Sequence, residues 1–161
     1  MQKSLYVRSG SRYRVAKSVE ILEAAAFCTA RQYEAGRPQL GSPADARNFL
    51  IGQLRHCLEE FFSIVFLDNN ARVIGFEKSY RGTIDAAVVH SREIVRDVLD
   101  RNATYVILAH NHPSGIARPS HADESLTKRL SSALDLIDVR ILDHVIVGEY
   151  DCFSFSENGL L

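Results

Sequence analysis

The stretch TYVILAHNHPSG, residues 104–115, decides the fold of this chain, because an almost wholly apolar run leads directly into a polar loop. Tyrosine, valine and isoleucine favour β-strands, and a short apolar run without alternating polar positions is typical of a strand that is buried on both faces. The run therefore predicts a strand over residues 104–110 at the centre of a sheet.

The segments before this strand predict a hairpin and a helix. Two apolar segments, 61–68 and 72–80, flank the turn pair Asn69-Asn70 and predict an antiparallel hairpin. Residues 91–101 then show helical periodicity. The apolar stripe of this helix consists of Ile94, Val95, Val98 and Leu99.

The segments after the central strand continue the alternation of helix and strand. We expect a helix over residues 121–136, a strand over 139–148 and a last strand over 152–156. Strands that alternate with helices in this order predict an α/β sandwich with a mixed central sheet flanked by helices.

The N-terminal part of the chain is predicted to hold two further helices. Residues 1–14 are polar and are expected to be loosely ordered, whereas residues 17–35 carry apolar side chains at the spacing of an amphipathic helix. The sequence SPAD at 42–45 has an N-cap serine, a first-turn proline and a capping-box carboxylate, which predict a helix that ends near residue 58. Its inward-facing residues would be Phe49, Leu50, Leu54 and Leu58.

Length and composition limit the chain to one sizeable core. Its 161 residues are too few for two ordinary domains, so we expect an N-terminal helical extension over residues 1–41 and one domain over 42–161. A net charge of −1 gives no electrostatic footprint for nucleic acid or an anionic membrane. No stretch reaches the ~20 apolar residues of a membrane span, and because the start is polar and basic without a following apolar run, we expect no ordinary signal peptide. Cys28, Cys57 and Cys152 lack metal-ligand spacing and are expected to be reduced and buried, as in a soluble cytoplasmic protein.

His110 and His112 stand where the central strand runs into its loop. Side chains along a strand alternate between faces, so these two imidazoles point to the same side and can reach one metal ion, while Asn111 points away. A histidine pair at a strand end is more often ordinary polar surface. A metal site therefore needs a further ligand.

Asp123 is the candidate for that ligand, because PSHAD at 119–123 would turn back over the strand end and begin the next helix. Ser120 and Asp123 also form a capping-box pattern, which on sequence alone is the more common explanation. The two functions are compatible, since a first-turn carboxylate can point at a metal beside the helix N-terminus. Two neutral histidines and one carboxylate are the three ligands typical of a catalytic zinc that keeps a fourth position for water.

Among the carboxylates, Glu77 is the best candidate for the base that such a water needs. It lies inside a predicted strand, in the context GFEK at 75–78, whereas the other candidates precede the hairpin or lie on a helix. The alternative is an edge-strand carboxylate paired with Lys78 or Arg81.

Three further histidines have less defined roles. His121 would face away from the motif as a surface histidine. His90 and His144 lie beside apolar segments, where a core position is more common than contact with a metal ligand.

Together these residues resemble the JAB/MPN (JAMM) family of metalloproteases. The spacing of His110, His112, Ser120 and Asp123 is the full JAMM pattern H-x-H-x7-S-x2-D. The match covers about residues 42–156. Four segments resemble the RadC-like branch in particular: SYRGT at 79–83, Val89-His90, HNHPSG at 110–115 and DHVIVG at 143–148.

The resemblance implies a cytidine deaminase-like JAB/MPN sandwich in which His110, His112 and Asp123 bind Zn²⁺. It also implies that Glu77 takes a proton from the water and that Ser120 stabilises the oxyanion. The implied activity is hydrolysis of a peptide or isopeptide bond in a peptide or protein substrate.

The sequence departs from the usual pattern of the branch in two places. Ser91 stands where a proline commonly follows the Val-His pair, and Ile116-Ala117-Arg118 replaces a more acidic, polar loop. We expect neither to contact a metal ligand, and Arg118 to add positive charge at the rim. Longer family members carry a helix-hairpin-helix segment associated with DNA. Only residues 1–41 precede the domain here, so we expect a short form without it, and nucleic-acid binding and oligomeric state stay open.

Two other functions remain as alternatives. The letters HNH, and the DNA-repair label often attached to this branch, suggest a DNA-repair-associated nuclease. In HNH nucleases, however, these residues are dispersed over a hairpin and a helix, whereas His110, Asn111 and His112 are adjacent. A noncatalytic MPN domain would serve as a docking surface, but such domains usually lose the ligands that this sequence keeps.

Overall fold

The structure divides the chain into two units, Met1–Gly36 and Arg37–Leu161. It is a computed structural model, and it describes residues 5–9, 12–81 and 89–161, without the side chains of residues 8–9, 27–35 and 79–81. Within the described part, no helix is long and apolar enough to cross a membrane.

The N-terminal unit combines a hairpin and a helix. Strands β1 (Tyr6–Ser9) and β2 (Arg12–Val15) pair antiparallel, and helix α1 spans Ser18–Gly36, close to the predicted 17–35. The expectation of loose order is wrong for residues 6–9 and 12–14, which form strands, whereas residues 1–4, 10 and 11 lie outside the described residues. Strand β2 has only four residues, Arg12–Val15, and all of them are exposed, so its short alternation of polar and apolar side chains is too weak a signal to predict a strand.

Residues just after α1 attach to the larger unit. The Leu40 N–H donates to the Ala71 carbonyl oxygen at 2.8 Å, and Gln39 forms a bridge with Arg72. Leu40 is buried. The larger unit therefore begins at Arg37, and the predicted boundary between residues 41 and 42 stays a prediction.

The larger unit is a five-stranded mixed sheet with helices on both faces. The strand order is β4-β3-β5-β6-β7, in which β5 and β6 are parallel and the other neighbours are antiparallel. This confirms the predicted α/β architecture with a central strand at residues 104–110. The elements are α2 (Pro43–Leu54), β3 (Phe61–Leu67), β4 (Val73–Arg81), α3 (Ser91–Asp100), β5 (Tyr105–Asn111), α4 (His121–Asp135), β6 (Arg140–Val147) and β7 (Cys152–Ser154).

One face of the sheet packs against α3 and α4 and forms the main core. Side chains of β3 and β5 that alternate along the strands meet the apolar stripes of the two helices. Because Phe62 lies opposite His110 in the register, this face also carries the histidine at the end of β5. Its most buried members are Phe62, Ile64, Phe66, Val98, Val106, Leu108, Leu130 and Leu134. Leu99, predicted for the α3 stripe, is instead 58% exposed.

Helix α2 covers the opposite face and ends earlier than expected. Its capping box is formed as predicted, because the Ser42 hydroxyl accepts from the Asp45 N–H and the Asp45 carboxylate accepts from the Ser42 N–H. The helix stops at Leu54, and Leu58 is 88% exposed rather than inward-facing. The Asn111 amide donates to the carbonyl oxygens of Cys57 and Glu59, which holds this connection outside a helical conformation.

The cysteines that the structure describes are free thiols. Cys57 and Cys152 are half-buried rather than fully buried. The Cys28 side chain lies outside the described residues.

Candidate metal centre

His110 and His112 lie at the end of the central strand β5 and point to the same side. The His110 side chain is fully buried, and His112 is half-buried. Their Nε2 atoms are 3.0 Å apart. Asn111 points to the other side, where its side-chain oxygen accepts from the Phe61 N–H. Strand alternation therefore gives the arrangement that the sequence predicts.

Asp123 completes a group of three residues that can hold a metal ion. One ligand atom from each of His110, His112 and Asp123 lies within 4.8 Å of the others. Asp123 Oδ1 is 3.3 Å from His110 Nε2, and the carboxylate is almost completely buried. The structure thus brings together the three predicted ligands in the part of the chain that it describes.

The capping and ligand functions of Asp123 use different oxygens. Its Oδ2 accepts from the Ser120 N–H and hydroxyl, both at 2.7 Å, and its own N–H donates to the Ser120 oxygen at 3.2 Å. Its Oδ1 points towards His110. The capping box therefore fixes the carboxylate and leaves one oxygen available to a metal ion.

The loop after β5 fixes the orientation of His112. The His112 Nδ1 lies 2.8 Å from the Ile116 carbonyl oxygen, and a carbonyl only accepts, so Nδ1 carries the proton. The Nε2 lone pair then faces His110. The expectation that residues 116–118 contact no ligand is wrong, because the Ile116 backbone holds His112.

His144 and Thr127 form a second layer behind His110. His144 Nε2 lies 2.9 Å from His110 Nδ1, and His144 Nδ1 lies 2.6 Å from the Thr127 hydroxyl. Sequence reasoning left the role of His144 open and missed Thr127. The available signal was that Thr127 lies one helical turn after Asp123 and so faces the same side of α4.

Burial keeps both inner histidines neutral at neutral pH. Burial lowers the pKa of His110 to about 4, which the Asp123 carboxylate opposes in part and His112 reinforces. Complete burial also holds the pKa of His144 well below its ordinary value, with His110 and His112 acting in the same direction. Neutral imidazoles are the form that binds metal ions.

Glu77 lies on the same sheet face as His110 but does not belong to the three-residue group. Glu77 pairs with Ile64, and Ile64 pairs with Leu108, which is two residues before His110 on β5. The Glu77 carboxylate accepts a hydrogen bond from the Arg101 guanidinium at the end of α3. Of the two partners considered from the sequence, Lys78 lies beside Cys57 and Phe61, and the Arg81 side chain lies outside the described residues.

The remaining sequence-predicted residues lie at the periphery. His90, His121 and Arg118 are exposed, so the core position expected for His90 is wrong and the surface position of His121 is as expected. His90 precedes α3 without a side-chain cap. Of the segment 79–83, residues 82–83 and the side chains of 79–81 lie outside the described residues.

Sequence comparison assigns this fold and site to a family. The family model described as the RadC-like JAB domain matches residues 40–160. The chain belongs to this family. Predicted membership of the RadC-like branch is thereby confirmed, and the mixed sheet flanked by helices agrees with a JAB/MPN fold.

Relatives of this RadC-like JAB domain occur in several bacteria. A UPF0758 protein of Thioalkalivibrio sulfidiphilus is 57% identical over 122 residues, which are 76% of this chain and 54% of the relative. One from Halorhodospira halophila is 55% identical over 124 residues, 77% of this chain and 55% of the relative. One from Coxiella burnetii is 50% identical over 131 residues, which are 81% of this chain and 58% of the relative. The chain spans about half the length of these relatives, whose names state no activity.

The buried histidines predict that acid destabilises the metal-free JAB domain. The pKa of His110 falls from 6.5 to about 4 on folding, so the unfolded chain binds more protons between these values. The free energy of unfolding therefore keeps its full value above about pH 6.5 and decreases as the pH falls towards 4. His110 accounts for about 3 kcal/mol of this decrease. Urea unfolding at several pH values measures this loss.

A matched variant isolates the contribution of His110. His110→Gln should lose less stability than the wild type over the same acid range, whereas His121→Gln, at an exposed position, should follow the wild type. Equal pH slopes for the wild type and His110→Gln would contradict the prediction.

Proposed function

We propose that this chain is a zinc-dependent hydrolase of the JAMM type that cleaves a peptide or isopeptide bond. The observation that carries the proposal is the convergence of one ligand atom each from His110, His112 and Asp123 within 4.8 Å. Lone pairs that face each other in a buried site repel unless a proton or a cation lies between them. A bound cation removes this repulsion for all three ligand atoms.

The spacing of the ligand atoms supports zinc. Two atoms bound at about 2.0–2.1 Å to a tetrahedral zinc ion lie about 3.3 Å from each other. The separations of 3.0 Å from His110 to His112 and 3.3 Å from His110 to Asp123 are close to this value. Three protein ligands leave a coordination position free, which favours a catalytic over a structural ion.

We assign the role of general base to Glu77. A bound zinc ion supplies a Lewis acid and lowers the pKa of a bound water. The Glu77 carboxylate would first leave Arg101 and turn towards the three metal ligands. It would then accept a proton from the attacking water and return that proton to the leaving amine. Because the two side chains are 36% and 30% exposed, the ion pair is worth about 0.2–1 kcal/mol. General base catalysis contributes roughly 10²–10⁴-fold, so this cost is small in comparison.

Ser120 is assigned two successive tasks. In the resting site its N–H and hydroxyl both hold Asp123 Oδ2. When substrate binds, the hydroxyl would turn and donate to the oxyanion. The Ser120 N–H at 2.7 Å would still hold Asp123 in place.

A polypeptide fits the surroundings of the site better than a nucleic acid. The loop that holds His112 presents Ile116, which is 59% exposed. An exposed apolar side chain beside the ligands favours contact with a peptide or protein. Nucleic-acid binding depends instead on basic surface, and the chain carries a net charge of −1.

A loading experiment tests the proposed function. The purified chain should contain about one zinc ion and hydrolyse at least one member of a panel of peptides and isopeptide-linked peptides. A chelator should abolish the cleavage, and added Zn²⁺ should restore it. Folded protein that contains no metal would overturn the proposal. Zinc-loaded protein that cleaves no amide but cuts DNA would overturn it as well.

A further inference from the structure

A chain of hydrogen bonds connects the two elements that supply the candidate ligands. It runs from His110 on β5 through His144 on β6 to Thr127 on α4, and from Thr127 to the backbone carbonyl of Asp123. The three distances are 2.9, 2.6 and 2.6 Å. Both imidazoles and the hydroxyl are buried, so no solvent competes for these bonds. The chain therefore begins at one ligand and ends on the backbone of another.

The direction of the protons follows from the end of the chain. The Asp123 carbonyl oxygen can only accept, so the single hydroxyl proton of Thr127 lies towards it, as is common for a helical threonine and the carbonyl four residues earlier. The Thr127 oxygen must then accept from His144, which places the proton of His144 on Nδ1. His144 Nε2 is left with a lone pair.

The same logic fixes the proton of His110. Because His144 Nε2 accepts, His110 Nδ1 must donate, and His110 Nε2 carries the lone pair that faces His112 and Asp123. In the opposite direction the Thr127 proton would lie towards His144. Two acceptor oxygens, those of Thr127 and the Asp123 backbone, would then face each other 2.6 Å apart without a proton.

The packing around His144 holds the chain in place. The His144 ring stacks on Phe155 with centroids 4.6 Å apart and lies edge-on to Phe62 at 6.0 Å. Its backbone N–H donates to the Asp143 carboxylate at 2.7 Å, and that carboxylate also accepts from the Ser154 hydroxyl at 2.6 Å. These contacts hold the His144 ring and its backbone in place.

We propose that Thr127 and His144 are positioning residues that set the tautomer of His110, so that its Nε2 is free of a proton before a metal ion binds. The inference rests on the proposed metal centre and adds a task for two residues outside the ligand group. Neither residue belongs to the group of three candidate ligands. Each acts through His110, by keeping a lone pair at Nε2 without a proton having to move when the ion arrives.

The matched variants are Thr127→Val and Thr127→Ser. Valine has nearly the same shape but offers no acceptor to His144, whereas serine keeps the hydroxyl. In Thr127→Val the His144 proton should move to Nε2, which would then donate to His110 Nδ1 and place the His110 proton on Nε2. His144→Phe, which keeps an aromatic ring beside Phe155, is a second variant that removes the acceptor for His110.

The first measurement reads the tautomers without a metal. Nitrogen NMR of histidine-labelled, metal-free protein distinguishes Nδ1–H from Nε2–H rings. His110 and His144 should both be Nδ1–H in the wild type and in Thr127→Ser, and both Nε2–H in Thr127→Val. In His144→Phe, His110 should be Nε2–H. Identical tautomers in the wild type and Thr127→Val, or Nε2–H rings in the wild type, would overturn the inference.

The second measurement is the affinity for Zn²⁺ alone, by competition with a chromogenic chelator. Thr127→Val and His144→Phe should bind zinc about 10- to 100-fold more weakly than the wild type, and Thr127→Ser close to the wild type. Unchanged affinity in Thr127→Val would contradict the inference even if the protein cleaves amides. Conversely, the expected tautomers and affinities in a protein that hydrolyses nothing would support the inference and refute only the proposed activity.

Discussion

His110→Ala is expected to lower bound zinc from about one ion per chain to background. His110 Nε2 is the atom that lies close to both other ligands, at 3.0 Å from His112 and 3.3 Å from Asp123. Its side chain is fully buried, so bulk water does not readily replace it as a ligand. A zinc ion held by one histidine and one carboxylate lacks the three protein ligands of a catalytic site. Metal analysis after dialysis measures the loss.

Thermal unfolding gives an independent measure of the same change. A metal ion that binds only the folded chain stabilises it by about 4 kcal/mol when its free concentration is 1,000 times the dissociation constant. Added Zn²⁺ should therefore raise the melting temperature of the wild type and leave that of His110→Ala unchanged. His121→Ala, at an exposed position two residues before Asp123, is the control and should respond like the wild type. Wild-type zinc content in His110→Ala would mean that the ion binds elsewhere.

The two histidines of the ligand group could be predicted from local geometry, whereas Asp123 needed the resemblance to the JAMM family to outweigh its capping function. Strand alternation places His110 and His112 on one side, and the first turn of a capped helix holds the Asp123 carboxylate. Capping and metal binding are compatible functions for Asp123 on sequence grounds. The structure agrees with this, because Oδ2 is used by the cap and Oδ1 faces His110.

The second layer could not be predicted because it depends on pairing between distant segments. His144 lies behind His110 only because β6 runs parallel to β5 with Leu108 opposite His144. A single sequence carries no signal for that register. The Arg101 partner of Glu77 is likewise a long-range contact, which arises where the end of α3 meets β4. Sequence neighbours such as Lys78 were considered instead, since proximity along the chain was the available guide.

The element boundaries show a similar division. The end of α2 was placed too late, at residue 58, because the apolar periodicity continues to Leu58 although the Asn111 side chain holds the carbonyl oxygens of Cys57 and Glu59. The apolar runs of β3, β5 and β6 were predicted to within one or two residues. Continuous apolar runs of strands buried on both faces can thus be located from the sequence, whereas a helix end imposed by a distant side chain cannot.

Glu77→Gln is expected to keep zinc and to lose amide hydrolysis by roughly 10²–10⁴-fold. Glutamine has the size of glutamate and can still contact Arg101, but it cannot accept a proton from water. Glu77 lies outside the group of three ligands, so the affinity for zinc should stay within a few-fold of the wild type. The ratio kcat/KM on the best substrate of the panel, with the zinc content of the same sample, measures both effects.

A matched control separates loss of the base from loss of an ion pair. Glu93→Gln also weakens a contact between glutamate and arginine, because Glu93 pairs with Arg96 on α3. It should hydrolyse the substrate at the wild-type rate. If Glu77→Gln also hydrolysed the substrate at the wild-type rate, the base would be another group. The zinc content of this variant would then test the metal centre separately from the base. If Glu77→Gln lost zinc, Glu77 would act through the ligands, and the assignment of proton transfer to its carboxylate would be wrong.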